Sequence, residues 1–153
     1  GFCLGGGLEM ALACDIRVAS PDSTFGLPVK NMGIFLDPAL SDTLVNAIGR
    51  AAALEMVLEG RRLNTDEALS RGIITRVTPA GGLDAEIAAT VERVCAGAPL
   101  AQRNNRRAVR DVGMPEAAGT SAFDHAASYG DTEDYKNAWT AFLAKEKTEF
   151  RGK

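Results

Sequence analysis

The sequence is poor in the residues that build metal sites and disulfide frameworks. Its 153 residues include three cysteines, with no CxxC pair, and a single histidine, His125. An odd cysteine count without paired spacing is typical of a reducing compartment, so we expect cytoplasmic localisation and no metal site. Cys14 lies in an apolar run and is predicted to belong to the core. Cys3 has no histidine near it in the sequence and is not predicted to act as a nucleophile.

The sequence also lacks a long apolar run and a large excess of either charge. No stretch is long enough to cross a membrane. The formal net charge is −3 and the pI is about 5.2, which argues against nucleic acid as a partner. The basic cluster at Arg103, Arg106, Arg107 and Arg110 has helical spacing and is interpreted as a solvated face. We therefore expect neither a nucleic-acid partner nor a membrane partner.

The most informative segment that is present is a glycine run near the start of the chain. Gly5, Gly6 and Gly7 lead directly into a helix-forming stretch that carries Glu9 on its first turn. Glycine lets the backbone approach a ligand closely. A helix N-terminus adds unpaired N–H groups and the positive end of the helix dipole. Together these features predict a site for a developing oxyanion.

Periodicity and turn residues predict a β/α region over residues 1–80 and an all-helical region over residues 81–153. The strands predicted in the first region are 15–19, 24–26 and 73–77, and the helices are 8–14, 42–48, 51–58 and a short one that begins at Asn64. Asn64 and Glu67 have capping-box spacing, and Ser41 is the predicted N-cap of helix 42–48. The helices predicted in the second region are 84–96, 100–112, 115–127 and 132–147.

Several separate stretches, taken in order, resemble the crotonase (enoyl-CoA hydratase/isomerase) family. They are Gly5–Asp15, Phe25–Pro28 followed by Met32–Ile34, Gly60–Leu63 with Glu67–Ala68 and Gly72–Ile74, and Ala141–Phe142 with Lys145, Lys147 and Phe150. A glycine triplet alone would be weak evidence. An ordered set that covers nearly the whole chain is specific.

The resemblance implies an α/β fold of the crotonase type. Its spiral core of β-β-α units would occupy residues 1–80, and residues 81–153 would form a helical C-terminal trimerisation region. The resemblance further implies a coenzyme A thioester as substrate, no metal or redox cofactor, and assembly as a homotrimer or homohexamer. Because members of the family begin well upstream of the glycine motif, we expect this chain to be a C-terminal fragment that is inactive alone.

The chemistry shared by the family is stabilisation of a thioester enolate by two backbone N–H groups. By position, Gly6 would supply the second of these donors, and the first is expected upstream of Gly1. In the family a lysine near the C-terminus lies close to the CoA phosphates, which implies that role for Lys145 or Lys147. The substrate-binding positions implied by the resemblance are Gly5, Val29, Phe142 and Lys145.

The carboxylates decide which reaction the resemblance implies. Hydratases of the family use two glutamates to handle the attacking water and the α-proton. Glu9 matches the first, but the second would follow Pro28, where this chain has Val29. Asp37 falls where dienoyl-CoA isomerases carry a catalytic aspartate and where 4-chlorobenzoyl-CoA dehalogenase carries its nucleophile. The alternatives are a turn residue in an Asp-Pro pair for Asp37 and a first-turn residue that favours the helix dipole for Glu9.

From this resemblance we predict an acyl-CoA-processing enzyme that hydrates an enoyl-CoA or isomerises its double bond. Glu9 and Asp37 are the predicted catalytic carboxylates, and Gly6 is the predicted oxyanion donor. One alternative is an acyl-CoA-binding homologue without catalysis, which the valine at position 29 favours. Another is a CoA-thioester hydrolase or dehalogenase with Asp37 as its nucleophile.

Overall fold

The computed structural model describes residues 1–112 and 127–153. The chain divides into two compact units, Gly1–Ala88 and Ala89–Lys153. The division after residue 80 that the sequence suggests stays a prediction. Nearly all of the predicted helix 115–127, and His125 with it, lies outside the described residues.

The first unit alternates short strands with short helices, so the predicted α/β class is confirmed. Its strands are β1 (Phe2–Leu4), β2 (Val18–Ala19), β3 (Thr24–Gly26), β4 (Arg62–Asn64) and β5 (Arg76–Val77). Its helices are α1 (Gly6–Leu12), α2 (Pro38–Ile48), α3 (Arg50–Glu59) and α4 (Thr65–Ser70), with a 3-10 turn at Val29–Met32. Helix α5 (Leu83–Cys95) contains the boundary between the two units.

The strands of the first unit form two small sheets. Strand β3 lies in the middle of the larger sheet, parallel to β1 and antiparallel to β4. Strands β2 and β5 form a separate parallel pair. The register places Leu4, the last residue of β1, opposite Gly26, the last residue of β3. The chain therefore leaves the sheet at the glycine run, which fixes where the helix α1 begins.

The core of the first unit draws apolar side chains from both sheets and from α1 to α4. Leu8 and Leu12, four residues apart on α1, are both buried and anchor one face of that helix. The opposite side of the helix carries Met10, which is 76% exposed. The buried apolar residues are Leu8, Leu12, Ala19, Phe25, Leu27, Leu44, Ala53, Met56, Leu63, Ala68, Ile73 and Ile74. Burial of one such side chain contributes about 1.5–3 kcal/mol, which accounts for the position of a helix only seven residues long.

Most of the described part of the second unit is helical, as the sequence predicts, but the predicted helix 132–147 ends at Ala144 because Lys145 takes a left-handed conformation. Helix α6 (Pro99–Arg110) begins with a proline in its first turn, and a 3-10 turn at Ala127–Asp131 precedes helix α7 (Glu133–Ala144). Thr132 is the N-cap of α7, and its side chain accepts a hydrogen bond from the Tyr135 N–H. The four arginines of the basic cluster are exposed on α6.

The start of α2 corrects one prediction, since its N-cap is Asp37 and not Ser41. The Asp37 backbone is extended, as expected for a residue before proline, and the helix begins at Pro38 itself. Proline is favoured there because its missing N–H would have had no acceptor within the helix. Ser41 lies inside the helix, where its hydroxyl donates to the Asp37 carbonyl at 3.0 Å.

Two helix ends confirm what the sequence predicts. Helix α3 ends at Gly60, which adopts a left-handed conformation with φ of 69°. The capping box at the start of α4 is complete: Asn64 Oδ1 accepts from the Glu67 N–H at 2.9 Å, and Glu67 Oε2 accepts from the Asn64 N–H at 3.1 Å. Both helices therefore start or stop for local reasons that the sequence carries.

The strands are less predictable, and four of the five in the first unit differ from expectation. The predicted strands 15–19 and 73–77 shrink to the two-residue pair β2 and β5, because the Thr75 side chain, rather than a strand carbonyl, accepts the Arg17 N–H at 3.1 Å. Strands β1 and β4 were not predicted. Cys14 is exposed, not in the core, because α1 ends at Leu12 and the chain then leaves the buried face.

Candidate active site at the glycine turn

Gly5 connects β1 to α1 in a conformation that other residues avoid. Its φ is 55° and its ψ is −130°. The Gly5 N–H donates to the Gly26 carbonyl at 2.9 Å, while the Gly5 carbonyl accepts from the N–H groups of Leu8 at 2.9 Å and Glu9 at 3.1 Å. The backbone of one residue thus ends a strand ladder and starts a helix. A side chain at this φ would be strained even though nothing lies within 4 Å of a Cβ there.

The N-terminus of α1 has no side-chain cap. Gly6 and Gly7 occupy its first two positions and are exposed. Their N–H groups have no acceptor within the helix, since each would need a carbonyl four residues earlier that is part of β1. Donors of this kind, at the positive end of a helix, suit a negatively charged oxygen.

Glu9 lies beside these donors. Its side chain is half-buried, and a methyl group placed on Gly6 would lie 3.9 Å from Glu9 Oε2. The carboxylate therefore reaches back over the first turn of the helix towards Gly6. The structure brings together two of the predicted site residues, an N–H donor and a carboxylate able to accept or return a proton.

A cationic side chain that sequence reasoning missed holds the far end of α1. The Arg17 guanidinium donates to the carbonyls of Cys14 at 2.6 Å and Gly72 at 3.1 Å, and also to that of Ile73. These bonds tie the segment after α1 to the turn before β5. The only sequence signal was a charged residue inside an apolar stretch, between Ile16 and Val18.

Asp37 caps a helix in this structure. Its side chain is exposed, and Oδ1 accepts from the Ala39 N–H at 2.8 Å. This is the turn interpretation that the Asp-Pro pair suggested as the alternative to a catalytic role. A capping carboxylate keeps lone pairs for other partners, so the catalytic role stays a prediction.

Val29 begins the 3-10 turn that follows Pro28. Its side chain is half-buried and packs against the core of the first unit. The position where family hydratases carry a second glutamate is therefore occupied by a side chain that neither takes nor gives a proton. Its role in substrate binding stays a prediction.

Phe142 and Lys145 belong to the second unit. Phe142 is 73% exposed and stacks on Trp139, with ring centroids 6.2 Å apart. Lys145 is exposed and ends α7 in a left-handed conformation, with φ of 57°. An exposed aromatic pair and an exposed lysine are available to a ligand or partner.

Three further observations concern metal ions, cysteine chemistry and membranes. The residues that the structure describes contain no group of three or more His, Cys, Asp or Glu side chains that could hold a metal ion. Burial raises the pKa of the Cys3 thiol, which disfavours its thiolate as a nucleophile. Among residues 1–112 and 127–153, no helix is both long enough and apolar enough to cross a membrane.

The glycine turn thus defines a class of site: an uncapped helix end with one carboxylate above it, on a β/α core. The sequence profile described as enoyl-CoA hydratase/isomerase matches residues 1–153. The chain belongs to this family, whose members are also called crotonases.

Relatives and solved structures agree with this assignment. The chain is 32% identical to the short-chain-enoyl-CoA hydratase of Clostridium acetobutylicum, over 97% of its own length and 58% of the relative. It is 34% identical to the (E)-benzylidenesuccinyl-CoA hydratase of Thauera aromatica, over 99% of its length and 60% of the relative. A crystal structure of an enoyl-CoA hydratase/carnithine racemase from Magnetospirillum magneticum superposes with a TM-score of 0.92 at 37% identity, covering all of this chain and 57% of that one.

These likenesses confirm the predicted crotonase fold. They also show that the chain spans less than two thirds of the length of the relatives it matches. The glycine turn, α1 and the helical second unit lie within the matched part.

Proposed function

We propose that the intact protein processes an acyl-CoA thioester by stabilising its enolate at the N-terminus of α1. The observation that carries this proposal is the placement of Glu9 Oε2 against Gly6, at a helix end with no side-chain cap. The names of the relatives, hydratases of enoyl-CoA and of benzylidenesuccinyl-CoA, support a CoA thioester as the substrate class.

In the proposed reaction the charge develops on the thioester oxygen. In isomerisation a base removes a proton from the carbon chain and the C–H electron pair moves into the thioester; in hydration the oxygen of water bonds to the double bond and its π electron pair moves there. In both cases the carbonyl oxygen becomes an oxyanion. The Gly6 N–H donates to that oxygen. Glu9 takes or returns the proton, within one turn of the donor. The two groups act on neighbouring atoms of one substrate, so their closeness is what the chemistry requires.

Hydration and isomerisation make different demands on the carboxylates. Hydration adds the oxygen of water to one carbon and a proton to the next, for which the family uses two glutamates. Isomerisation removes a proton from one carbon and returns it to another, which a single carboxylate can perform. Because Val29 replaces the second glutamate, it favours isomerisation over hydration, and isomerisation is therefore the second candidate reaction. Val29→Glu is expected to raise water addition to an enoyl-CoA relative to isomerisation.

The second unit supplies the remaining part of the proposal. Lys145 and Lys147 are exposed cations on the segment that follows α7, and we assign them to the phosphates of CoA. The exposed Trp139 and Phe142 fit a contact between subunits of a homotrimer or homohexamer. The reaction as proposed needs no cofactor besides the CoA of the substrate.

Two substitutions at one residue test the oxyanion donor. Proline is tolerated at the first position of a helix, so Gly6→Pro removes the N–H and leaves α1 in place. Gly6→Ala keeps the N–H, and its methyl group has only Glu9 Oε2, at 3.9 Å, within reach. In the intact protein, Gly6→Pro is expected to lower kcat by about 10²–10³-fold relative to Gly6→Ala. Equal rates for the two variants would contradict the proposed role of Gly6.

A further inference from the structure

The segment after α7 returns to the start of that helix and is held there by one buried carboxylate. We call residues 145–153 the return segment. Asp134, in the first turn of α7, is only 3% exposed. Its Oδ1 accepts from the Arg151 N–H at 2.8 Å and its Oδ2 from the Gly152 N–H at 2.8 Å. The Asp134 N–H in turn donates to the Lys153 carbonyl at 3.1 Å.

The other end of the return segment is fixed on the same helix. Lys145 takes a left-handed conformation, and its N–H donates to the Phe142 carbonyl at 3.2 Å. The Glu146 N–H donates to the Ala141 carbonyl at 2.8 Å. The chain therefore reverses directly after α7, and both ends of the return segment are bonded to α7 itself.

The cost of burying Asp134 indicates a specific contact. A buried carboxylate is unfavourable unless hydrogen bonds satisfy it, and here both oxygens are used on two successive N–H groups. This arrangement needs Gly152 at φ of 73°, a conformation that other residues adopt rarely. Because the two oxygens select two neighbouring residues, the contact sets the register of the return segment along α7. An apolar contact would hold the segment without selecting a register.

We propose that Asp134 is a positioning residue for nucleotide binding, which it serves by fixing the return segment that carries Lys145 and Lys147. The inference rests on the proposed function, in which these exposed lysines bind the CoA phosphates. Asp134 does not touch the ligand, because it is buried under the backbone of Arg151 and Gly152. Lys145 is held at the end of α7 by its own bond to the Phe142 carbonyl, so the anchor that Asp134 supplies acts on the residues between the two fixed ends, Lys147 among them.

The test compares a ligand that has the nucleotide phosphates with one that lacks them. In the intact protein, Asp134→Asn keeps the size of the side chain but replaces one acceptor by a donor. We expect it to raise the Kd for CoA by up to about tenfold, because the freed segment must be ordered again when CoA binds, at a cost no larger than the hydrogen bond that is lost. Binding of a pantetheine thioester, which has no nucleotide, and kcat at saturation are expected to stay unchanged. The Arg151 and Gly152 amides should exchange with deuterium faster.

The matched control for charge is Glu133→Gln, which removes an exposed carboxylate one residue before Asp134.

The outcomes separate the inference from the proposed function. The positioning role would be overturned if the Arg151 and Gly152 amides exchange faster while the affinities for CoA and for the pantetheine thioester fall equally. It would also be overturned if neither affinity falls. If Lys145→Ala and Lys147→Ala both leave CoA affinity unchanged, the lysine assignment fails first, and the inference fails with it. Should Asp134→Asn not fold, Gly152→Ala strains the same contact from the other side, where its methyl group meets only Pro99 at 3.8 Å. The same selective loss of CoA affinity is expected.

Discussion

Helices α1 and α4 begin in opposite ways, although both follow a strand directly. At α4, Asn64 and Glu67 satisfy each other's backbone N–H groups, and the helix end is closed. At α1 no side chain caps the helix, and glycines occupy the cap and the first two positions. A capped end typically adds about 1 kcal/mol of stability, which α1 forgoes. Helices α3 and α6 also lack a side-chain cap, so it is the glycines together with Glu9 that set α1 apart. This difference supports the ligand role proposed for the open end of α1, whereas the closed end of α4 serves the fold.

The largest effect is expected when the carboxylate at the open end loses its charge. Glu9→Gln keeps the shape of the side chain but removes the acid/base group, and should lower kcat by about 10²–10⁴-fold. The measurement is steady-state turnover of an enoyl-CoA by the intact protein. Asp42→Asn, an exposed carboxylate on α2, serves as the control. A kcat within tenfold of the wild type would assign Glu9 to the helix dipole alone.

A second test uses the carboxylate that caps α2. Asparagine caps as well as aspartate, so Asp37→Asn removes the charge while the bond to the Ala39 N–H can remain. If Asp37 is the second catalytic carboxylate, turnover falls by about 10²-fold without a change in the urea midpoint. Asp37→Ala should in addition lower the free energy of unfolding by about 1 kcal/mol. Full turnover in the asparagine variant would leave Asp37 with the cap as its only role.

The closed end of α4 can be opened by one substitution. Asn64→Ala leaves the Glu67 N–H without its acceptor and should lower the free energy of unfolding by about 1 kcal/mol. The urea midpoint should fall at unchanged slope. Asn64→Asp, which retains an acceptor oxygen, is the matched control. No loss in the alanine variant would mean that the ion pair between Glu67 and Arg61 holds the turn without the cap.

The smallest effect concerns pH and the ion pairs around α3. The Arg61 guanidinium, by hydrogen bonding and charge, holds the pKa of Glu55 below its ordinary value, with a further contribution from Arg71. A carboxylate whose pKa is lower in the folded state stabilises the fold above its unfolded pKa of about 4.3. That stability is lost as the pH falls through the folded pKa. Glu55→Gln should therefore flatten the acid side of the stability–pH curve, whereas Glu149→Gln, at an exposed site, should not. Equal stability–pH curves for the wild type and Glu55→Gln would show that solvent completely screens the ion pair between Glu55 and Arg61.

The sequence predicts local features of this chain better than contacts between distant segments. The capping box at Asn64, the stop of α3 at Gly60 and the glycine entry to α1 all depend on residues within a few positions of one another. Strand β4 was missed because its three residues owe their extended form to pairing with β3, nearly forty positions away. The start of α2 was misplaced because proline disfavours helix only at the residue before it. A helix can still begin at the proline itself.

The site was predictable to the same extent. Gly6 and Glu9 are three positions apart, so a helical turn brings them together wherever the helix lies. The bonds of Arg17 to the carbonyls of Gly72 and Ile73 join residues more than fifty positions apart, and no local pattern indicates them. Asp134 looks in the sequence like an ordinary acidic residue of a first turn. Only the returning backbone reveals what its carboxylate binds.

Trp139 is the only tryptophan of the chain, and this gives the molecule a built-in optical probe. Its ring is 54% exposed and lies against Phe142 on α7, so intrinsic emission reports on the second unit alone. Circular dichroism in the far ultraviolet reports on the helices of both units. Unfolding curves recorded by the two methods should coincide if the units unfold together and separate if they do not. The cooperativity of the chain can therefore be measured without attaching a label.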